Sequence, residues 1–445
     1  MYIINSNWLL RVEYFGGILF DKKNNEQYQL TLPNAALLYL LKDGNNLKEA
    51  KIAVEEYFKT QIDDQDVEDF INNSVIAKTS NKANNLDMHG KLEELMGSVK
   101  KLEQNQCLSA PIEVSLYPTS VCNLKCKFCY FESKSCHYKK NTDVAMWKKL
   151  VDELKRMGVI YVSLLGGEPT LYSEIDTLLM YLENNQFRTT ITTNGYSVRE
   201  ETLKIICTSE YITPSVSIQS LNKDTTKYLN GGNVDKVLEF IDKLICYGKV
   251  PKLNTVVTIQ TFEELTDILD YANQKGIYDV SFNAYMELTT FGLPVRTFVD
   301  YRHLDERLKE YVSSKGYNIN VQMQGCMLYT AYPELENPIE CEYDKFIYGC
   351  EAGKTKLEIM PNGDVYPCAA FQIGEFKYEN AFEKSITDIW MNAKYLKQLR
   401  NRKIKDTKCI QCKFVDFCNG GCPANNLLKN NSIETRSDER CCMQI

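Results

Sequence analysis

The chain has 445 residues, long enough for two or three domains rather than one core. Lys plus Arg number 52 against 59 for Asp plus Glu, a net charge of −7 that argues against nucleic acid or an anionic membrane as the main partner. No apolar run reaches the roughly 18 residues of a membrane span, and the start MYIINSNWLLRVEYF lacks the basic segment and cleavage site of a signal peptide, so a cytoplasmic location is expected.

Taken in chain order, WLLRVEYF and GGILFDKK alternate apolar and polar residues and read as a hairpin. Helical patterns follow at about 33–42, 46–59 and 64–76. This strand-plus-three-helix unit has the outline of a winged helix. Residues 1–80 hold 8 Lys/Arg and 12 Asp/Glu, the wrong sign for DNA, so a peptide added to the edge of the hairpin is the better reading. Residues 85–105 read as a polar connecting helix.

From about 110 to 310 strand and helix alternate. Strands are expected at 112–117, 159–165, 188–193, 213–219, 252–259 and 279–285, with helices at 144–157, 174–185, 234–247 and 262–275. Six such alternations imply parallel strands in a complete or partial βα barrel, an α/β fold whose site lies at the C-terminal ends of the strands. Beyond about 345 the chain turns rich in cysteine and loops.

Seventeen cysteines and only three histidines make thiolate the expected ligand. In a reduced cytosol, clustered cysteines point to metal or redox chemistry. The isolated Cys207 and Cys246 read as small buried apolar residues. Cys122, Cys126 and Cys129 are spaced C-x3-C-x2-C directly after the first barrel strand. Three thiolates on a cubane iron–sulfur cluster leave one iron open to chelate a small molecule. A zinc knuckle is the alternative, with Cys136 or His137 as the fourth ligand. Gly166, Gly167 and Glu168 close the second strand; glycines let a ligand lie against backbone, and a carboxylate can hold an ammonium group. Farther on stand Cys350 and Cys368, with Gly363 between them, then Cys409, Cys412, Cys418, Cys422 and Cys441, with Cys442 competing for the last place.

The triplet and the glycine–glutamate turn, one βα unit apart, resemble the radical S-adenosylmethionine (SAM) superfamily, and the late cysteines resemble its SPASM extension. FGGILFDK, SLLGGEPT, TTITTN, YITPSVSIQ, TAYPELEN and EIMPNGDVYPC carry a whole-chain likeness to the maturases of ribosomally made peptides. The resemblance implies a winged-helix-like leader-recognition domain over 1–84, a connecting helix over 85–109 and a partial (β/α)6 TIM-type barrel over 110–310. A bridging region over 311–345 and a SPASM domain over 346–445 complete it.

The same resemblance implies SAM and three 4Fe–4S clusters as cofactors. Cys122, Cys126 and Cys129 would hold the SAM cluster, and Gly166, Gly167 and Glu168 would face the methionyl amino group. Thr193, Asn194, Ser217 and Gln219 would meet the SAM ribose and carboxylate. Cys350, Cys368 and Cys422 would bind an inner auxiliary cluster, and Cys409, Cys412, Cys418 and Cys441 an outer one. Cys326 is favoured as the fourth inner ligand over Cys341, whose acidic setting IECEYD disfavours a thiolate, with an open iron that binds substrate directly as the remaining alternative. Many such maturases carry an Arg after the fourth strand, but LNGGNVDK at 229–236 has none.

The implied partners are a precursor peptide (leader plus core) and a one-electron donor such as flavodoxin or ferredoxin. Reductive cleavage of SAM would give a 5′-deoxyadenosyl radical, and a side-chain crosslink would follow, carbon–carbon favoured over thioether or ether. Glu287, after the sixth strand, is the candidate proton acceptor. The rival readings are a sulfatase-type maturase acting on a folded protein and a zinc-stabilised binding protein.

Overall fold

A computed structural model describes residues 1–80, 87–131, 142–285, 301–325, 346, 349–372, 378–412 and 414–435. Contacts divide the chain into two compact units, Met1–Pro111 with Leu154–Ile160, and Ile112–Glu153 with Tyr161–Ile445.

In the first unit β1 (Tyr2–Ile4), β2 (Trp8–Glu13), β3 (Gly16–Asp21) and β4 (Glu26–Leu30) precede the helices Leu32–Leu41, Leu47–Phe58 and Asp64–Asn72. Then come β5 (Ile76–Lys78) and the helix Met88–Asn105. The expected hairpin is β2–β3, closed by the pairing of Glu13 with Gly16. A third strand, β4, lies at the sheet's edge against β3. Periodicity does not reveal it, because EQYQL is exposed along almost its whole length and has no apolar face. Side chains of Thr31, Asn46, Asp63 and Asp87 cap the four helices, which is why each starts where it does. The connecting helix is amphipathic: Leu92, Leu95 and Val99 enter the same core as Leu37, Leu38 and Val54, while its charged residues face outward.

The second unit is built on one sheet ordered β12-β11-β10-β9-β8-β7-β6-β13-β14. Its parallel run is β6 (Glu113–Leu116), β7 (Tyr161–Leu164), β8 (Arg188–Thr193), β9 (Ile212–Ser217), β10 (Lys252–Val257), β11 (Asp279–Ala284) and β12 (Asn320–Gln324). The six expected strands are all present, and the fold is the α/β partial barrel. β12 is an addition that buries only Val321 and Met323 between polar residues. On the other side β13 (Lys356–Ile359) runs parallel to β6 and carries antiparallel β14 (Val365–Tyr366). The expected helices are found as Val144–Met157, Ile175–Asn184, Val234–Cys246 and Leu265–Lys275. Glu200–Thr208, Lys223–Asn230 and Tyr301–Lys315 are further helices. Cys246 is exposed and Cys207 half-buried, so neither is the fully buried residue that its setting suggests. Among the described residues no helix is long and apolar enough to cross a membrane.

An ion pair sealed inside the first unit fixes where β2 meets the segment 109–111. Arg11 and Glu13 lie 2.7 Å apart, with side chains 2% and 0% exposed. Arg11 also donates to the carbonyls of Ala110 (2.6 Å) and Pro111 (3.1 Å), while Glu13 accepts from the backbone N–H and hydroxyl of Ser109, both at 2.7 Å. Removing one partner strands the other charge in a dry site. Arg11→Ala is therefore expected to lower stability by about 3–5 kcal/mol in denaturant unfolding, and the double change Arg11→Met with Glu13→Leu by clearly less. Equal losses in the two variants would show that the pair's charges do not matter.

Candidate functional site

The segment Thr119–Cys129 leaves the C-terminal end of β6 and folds against the turn that ends β7. Gly167 N donates to Thr119 O (3.0 Å) and Glu168 N to Val121 O (2.7 Å). A Cβ added to Gly166 would lie 2.5 Å from Thr119 O, and one on Gly167 would lie 2.3 Å from Val121 O. Gly166 also has φ +137°, which disfavours any side chain. The two glycines thus make room for the chain's own backbone, a role that the spacing alone does not show.

Glu168 is the hub of this turn and only 2% exposed. Its Oε1 accepts from Thr170 N (3.1 Å), Thr170 Oγ1 (2.6 Å) and Thr193 Oγ1 (2.7 Å), and its Oε2 from Asn194 N (2.8 Å). Burial raises the Glu168 carboxyl above its ordinary value, and the Asn194 and Thr donors pull it back. One carboxylate therefore ties the end of β7 to the end of β8. Thr193 and Asn194 are drawn to Glu168 as well as to the strand end where the sequence places them.

Asn194 also reaches the cysteine segment, its Nδ2 donating to Asn123 Oδ1 at 2.8 Å. On the far side Lys127 N donates to Leu229 O (2.8 Å) and Lys125 N to Asn230 O (3.3 Å). These carbonyls are available because the helix Lys223–Asn230 stops at Gly231 in a left-handed cap. The Lys127 ammonium sits 3.3 Å from the centre of the Tyr228 ring, a cation–π contact. The stretch 229–236, which lacks the anticipated Arg, here braces the cysteine segment instead.

Cys122, Cys126 and Cys129 lie on this braced segment. Cys129 N donates to Cys126 O (3.1 Å), and Leu124 N points at Cys122 Sγ from 3.5 Å, the kind of N–H···S donor that steadies a thiolate. Cys122 and Cys129 lie within electrostatic reach of each other. Three thiols on one turn, with polar strand ends beside them, fit a cluster with an open iron. Ser217 is half-buried at the end of β9, and the buried Gln219 accepts from Val256 N (2.9 Å), which ties β9 to β10.

The late cysteines fall into groups. Cys350, Cys368 and Cys422 share one apolar cluster with Ala352, Ala370, Phe371, Leu399 and Ala424. Burial, then Cys422 beside it, pushes the Cys350 thiol up to about 11. Burial, then the Glu358 carboxylate, pushes Cys368 well above its usual range. Thiols so placed need a metal to become thiolates. Cys409, Cys412 and Cys418 follow on two short turns: Cys412 N donates to Cys409 O (3.0 Å), and Gly421 N points at Cys418 Sγ from 3.2 Å. Among the described residues no three Cys, His, Asp or Glu side chains converge as they do around a single metal ion. Glu287, Cys326, Cys341, Cys441 and Cys442, and the zinc-ligand alternatives Cys136 and His137, lie outside the described residues.

Sequence reading passed over a polar chain beside these groups, in which Tyr117 and Glu358 are buried and Tyr130 is exposed. Tyr130, directly after Cys129, pairs hydroxyls with Tyr117 at 3.0 Å, and Tyr117 donates to Glu358 Oε2 at 2.6 Å. The only signal was Tyr130's place next to a cysteine. Glu358 comes from β13, and no local pattern reveals its partner.

Residues 116–272 match the radical SAM superfamily, and residues 350–413 match SPASM, an iron–sulfur cluster-binding domain. SuiB of Streptococcus suis, solved with S-adenosylmethionine, is 33% identical with a TM-score of 0.86, over 100% of both chains. SuiB solved with its precursor peptide SuiA is again 33% identical, with a TM-score of 0.88 and the same coverage. The mycofactocin maturase MftC of Mycolicibacterium smegmatis is 25% identical over 335 residues, 71% of this chain and 79% of the relative. The site geometry and these likenesses agree, and the chain belongs to the radical SAM superfamily as an enzyme with a SPASM iron–sulfur domain.

Proposed function

We propose that this enzyme matures a ribosomally made precursor peptide by installing an intramolecular side-chain crosslink, carbon–carbon in preference to thioether or ether. The observation that carries the reading is the full-length likeness to SuiB, solved with a precursor peptide seated on it. In this reading residues 1–84 recognise the leader, 85–109 connect, 110–310 form the catalytic barrel, 311–345 bridge and 346–445 hold auxiliary clusters. Leader docking falls to the edge strand β4, where Tyr28 is 45% exposed and its ring centre lies 5.9 Å from that of Trp8. An edge strand offers main-chain partners to an extended peptide, and exposed aromatics offer it grip.

Cys122, Cys126 and Cys129 would hold the cluster that binds SAM. With SAM bound, that centre supplies a carbon radical able to take an unactivated hydrogen. The protein's own share is aim and rigidity. Glu168 holds the ends of β7 and β8 in register, and the Asn194–Asn123 contact carries that register to the cysteine segment. Gly166, Gly167, Glu168, Thr193, Asn194, Ser217 and Gln219 line the SAM side. Glu287 remains the candidate proton acceptor, and the auxiliary cysteines would hold the clusters that accept the electron left after ring closure. The electron donor is a flavodoxin or ferredoxin class protein.

Three cubane clusters mean about twelve iron per reconstituted chain. Replacing Cys122, Cys126 and Cys129 together by Ala should leave about eight and abolish SAM cleavage. Persistent cleavage in that variant would sink the proposal. Glu168→Gln places an amide NH2 against donors and should weaken SAM binding by roughly 1.5–3 kcal/mol, tenfold or more in Kd by titration calorimetry. Wild-type affinity there would remove Glu168 from the SAM side. Tyr28→Ala should weaken precursor binding several-fold while uncoupled SAM cleavage keeps its rate. Unchanged precursor affinity would move the dock away from β4.

A further inference from the structure

Two arginines two residues apart are both buried, and they are satisfied very differently. Arg400 Nε donates to Gly353 O (2.7 Å), its Nη1 donates to Trp390 O (2.7 Å), and the guanidinium stacks 4.1 Å from the centre of the Trp390 ring. It is a structural clamp. Arg402 is 7% exposed and makes one side-chain hydrogen bond, from Nη1 to Gly421 O at 3.2 Å. Its Nε and Nη2 are buried with no hydrogen-bond partner among the described residues. A buried guanidinium left with unmet donors is costly unless an anion faces it.

The surroundings say which anion. Cys418-Asn-Gly-Gly-Cys422 runs from one cysteine group to the other, and Asn419, Gly420 and Gly421 all adopt left-handed conformations. That coil folds the turn under Arg402: a Cβ on Gly420 would lie 3.3 Å from Arg402 Nη2. Asn419 holds the turn from both sides, accepting from Ile404 N (3.0 Å) and donating to Arg402 O (2.8 Å). Burial pulls the Arg402 guanidinium below its ordinary value, and Cys350, Cys422, Cys418 and Cys409 all act to raise it again. Those four thiols come from both auxiliary groups.

We propose that Arg402 is a shared positioning residue between the two auxiliary clusters, turning its unmet N–H donors to their sulfurs and raising the reduction potential of both. This rests on the auxiliary-ligand assignment above. A cluster with thiolate ligands is anionic and becomes more so on taking one electron, so a nearby cation and N–H···S donors favour the reduced form. The two clusters thereby become better acceptors of the electron that ring closure releases.

The test uses full-length reconstituted protein in which Cys122, Cys126 and Cys129 are Ala, so that only auxiliary clusters report. Midpoint potentials are read by redox titration monitored by electron paramagnetic resonance, alongside iron content. Arg402→Gln should keep its iron and lower the reduced-to-oxidised ratio at fixed poise about tenfold for both clusters, a shift of about 59 mV for a one-electron couple. Arg402→Lys, which keeps charge but loses the fork, should fall between. If Arg402→Gln loses iron, the Lys variant decides: an intermediate potential supports the role, and a wild-type potential overturns it. Full iron with unshifted potentials in Arg402→Gln overturns it too. Auxiliary iron missing from the parent protein overturns the ligand assignment itself, and the role of Arg402 with it.

Discussion

Four consecutive pairs, from Lys356↔Glu113 to Ile359↔Leu116, lay β13 beside β6 in parallel, and the second unit depends on that pairing. Strands far apart in the chain become neighbours, so the turn between β13 and β14 and the segment after β6 emerge together. Lys356 Nζ meets Glu113 at 3.2 Å across the two strands and helps set the register. Beyond the strand ends Tyr117, Phe131, Met360 and Ala369 form one apolar cluster, against which Cys129 packs. Cys368 is the residue before Ala369. Cys129 and the Cys368–Ala369 segment are thus brought to one apolar cluster by main-chain pairing. The Tyr130–Tyr117–Glu358 chain crosses the same joint. Its Tyr117–Glu358 bond is buried, and dry surroundings make such a hydrogen bond strong and its loss expensive.

The catalytic end of the barrel is held by polar contacts of another kind. Glu168 gathers four donors from two strand ends, and the glycines before it let the cysteine segment touch the turn directly. Asn194 on one side and the open carbonyls of Leu229 and Asn230 on the other pin that segment. Each tether is a single hydrogen bond of modest net worth, about 0.5–1.5 kcal/mol. Their value lies in number and direction, since a site that must aim a reactive radical gains from ligands already in place.

The cysteine-rich C-terminal region solves a harder electrostatic problem. Its thiols sit among Ala352, Phe371, Leu399 and Ala424, where a bare thiolate would be unstable. Buried cations offset buried anions, and Arg402 packs against the turn from Cys418 to Cys422. Arg400, spent on Gly353, Trp390 and its ring, shows what the same residue does when its task is to hold backbone.

By itself the sequence determined the strand–helix alternation of the barrel, the cysteine spacings and the turn at Gly166–Glu168, because each is written in residues a few positions apart. Periodicity and spacing are local, and the main chain must obey them wherever the segment goes. Only the tertiary structure decided that β13 pairs with β6, that β4 joins the sheet of β2 and β3, that Glu168 serves Thr193 and Asn194, and that Arg402 packs against the turn from Cys418 to Cys422. β4 is exposed along almost its whole length, and β12 offers only Val321 and Met323 to the interior, so neither announces itself as the other barrel strands do. Glu358 and Arg402 look like ordinary surface charges until burial makes an unmatched charge too costly to leave alone. That cost appears only when segments distant in the chain exclude water together.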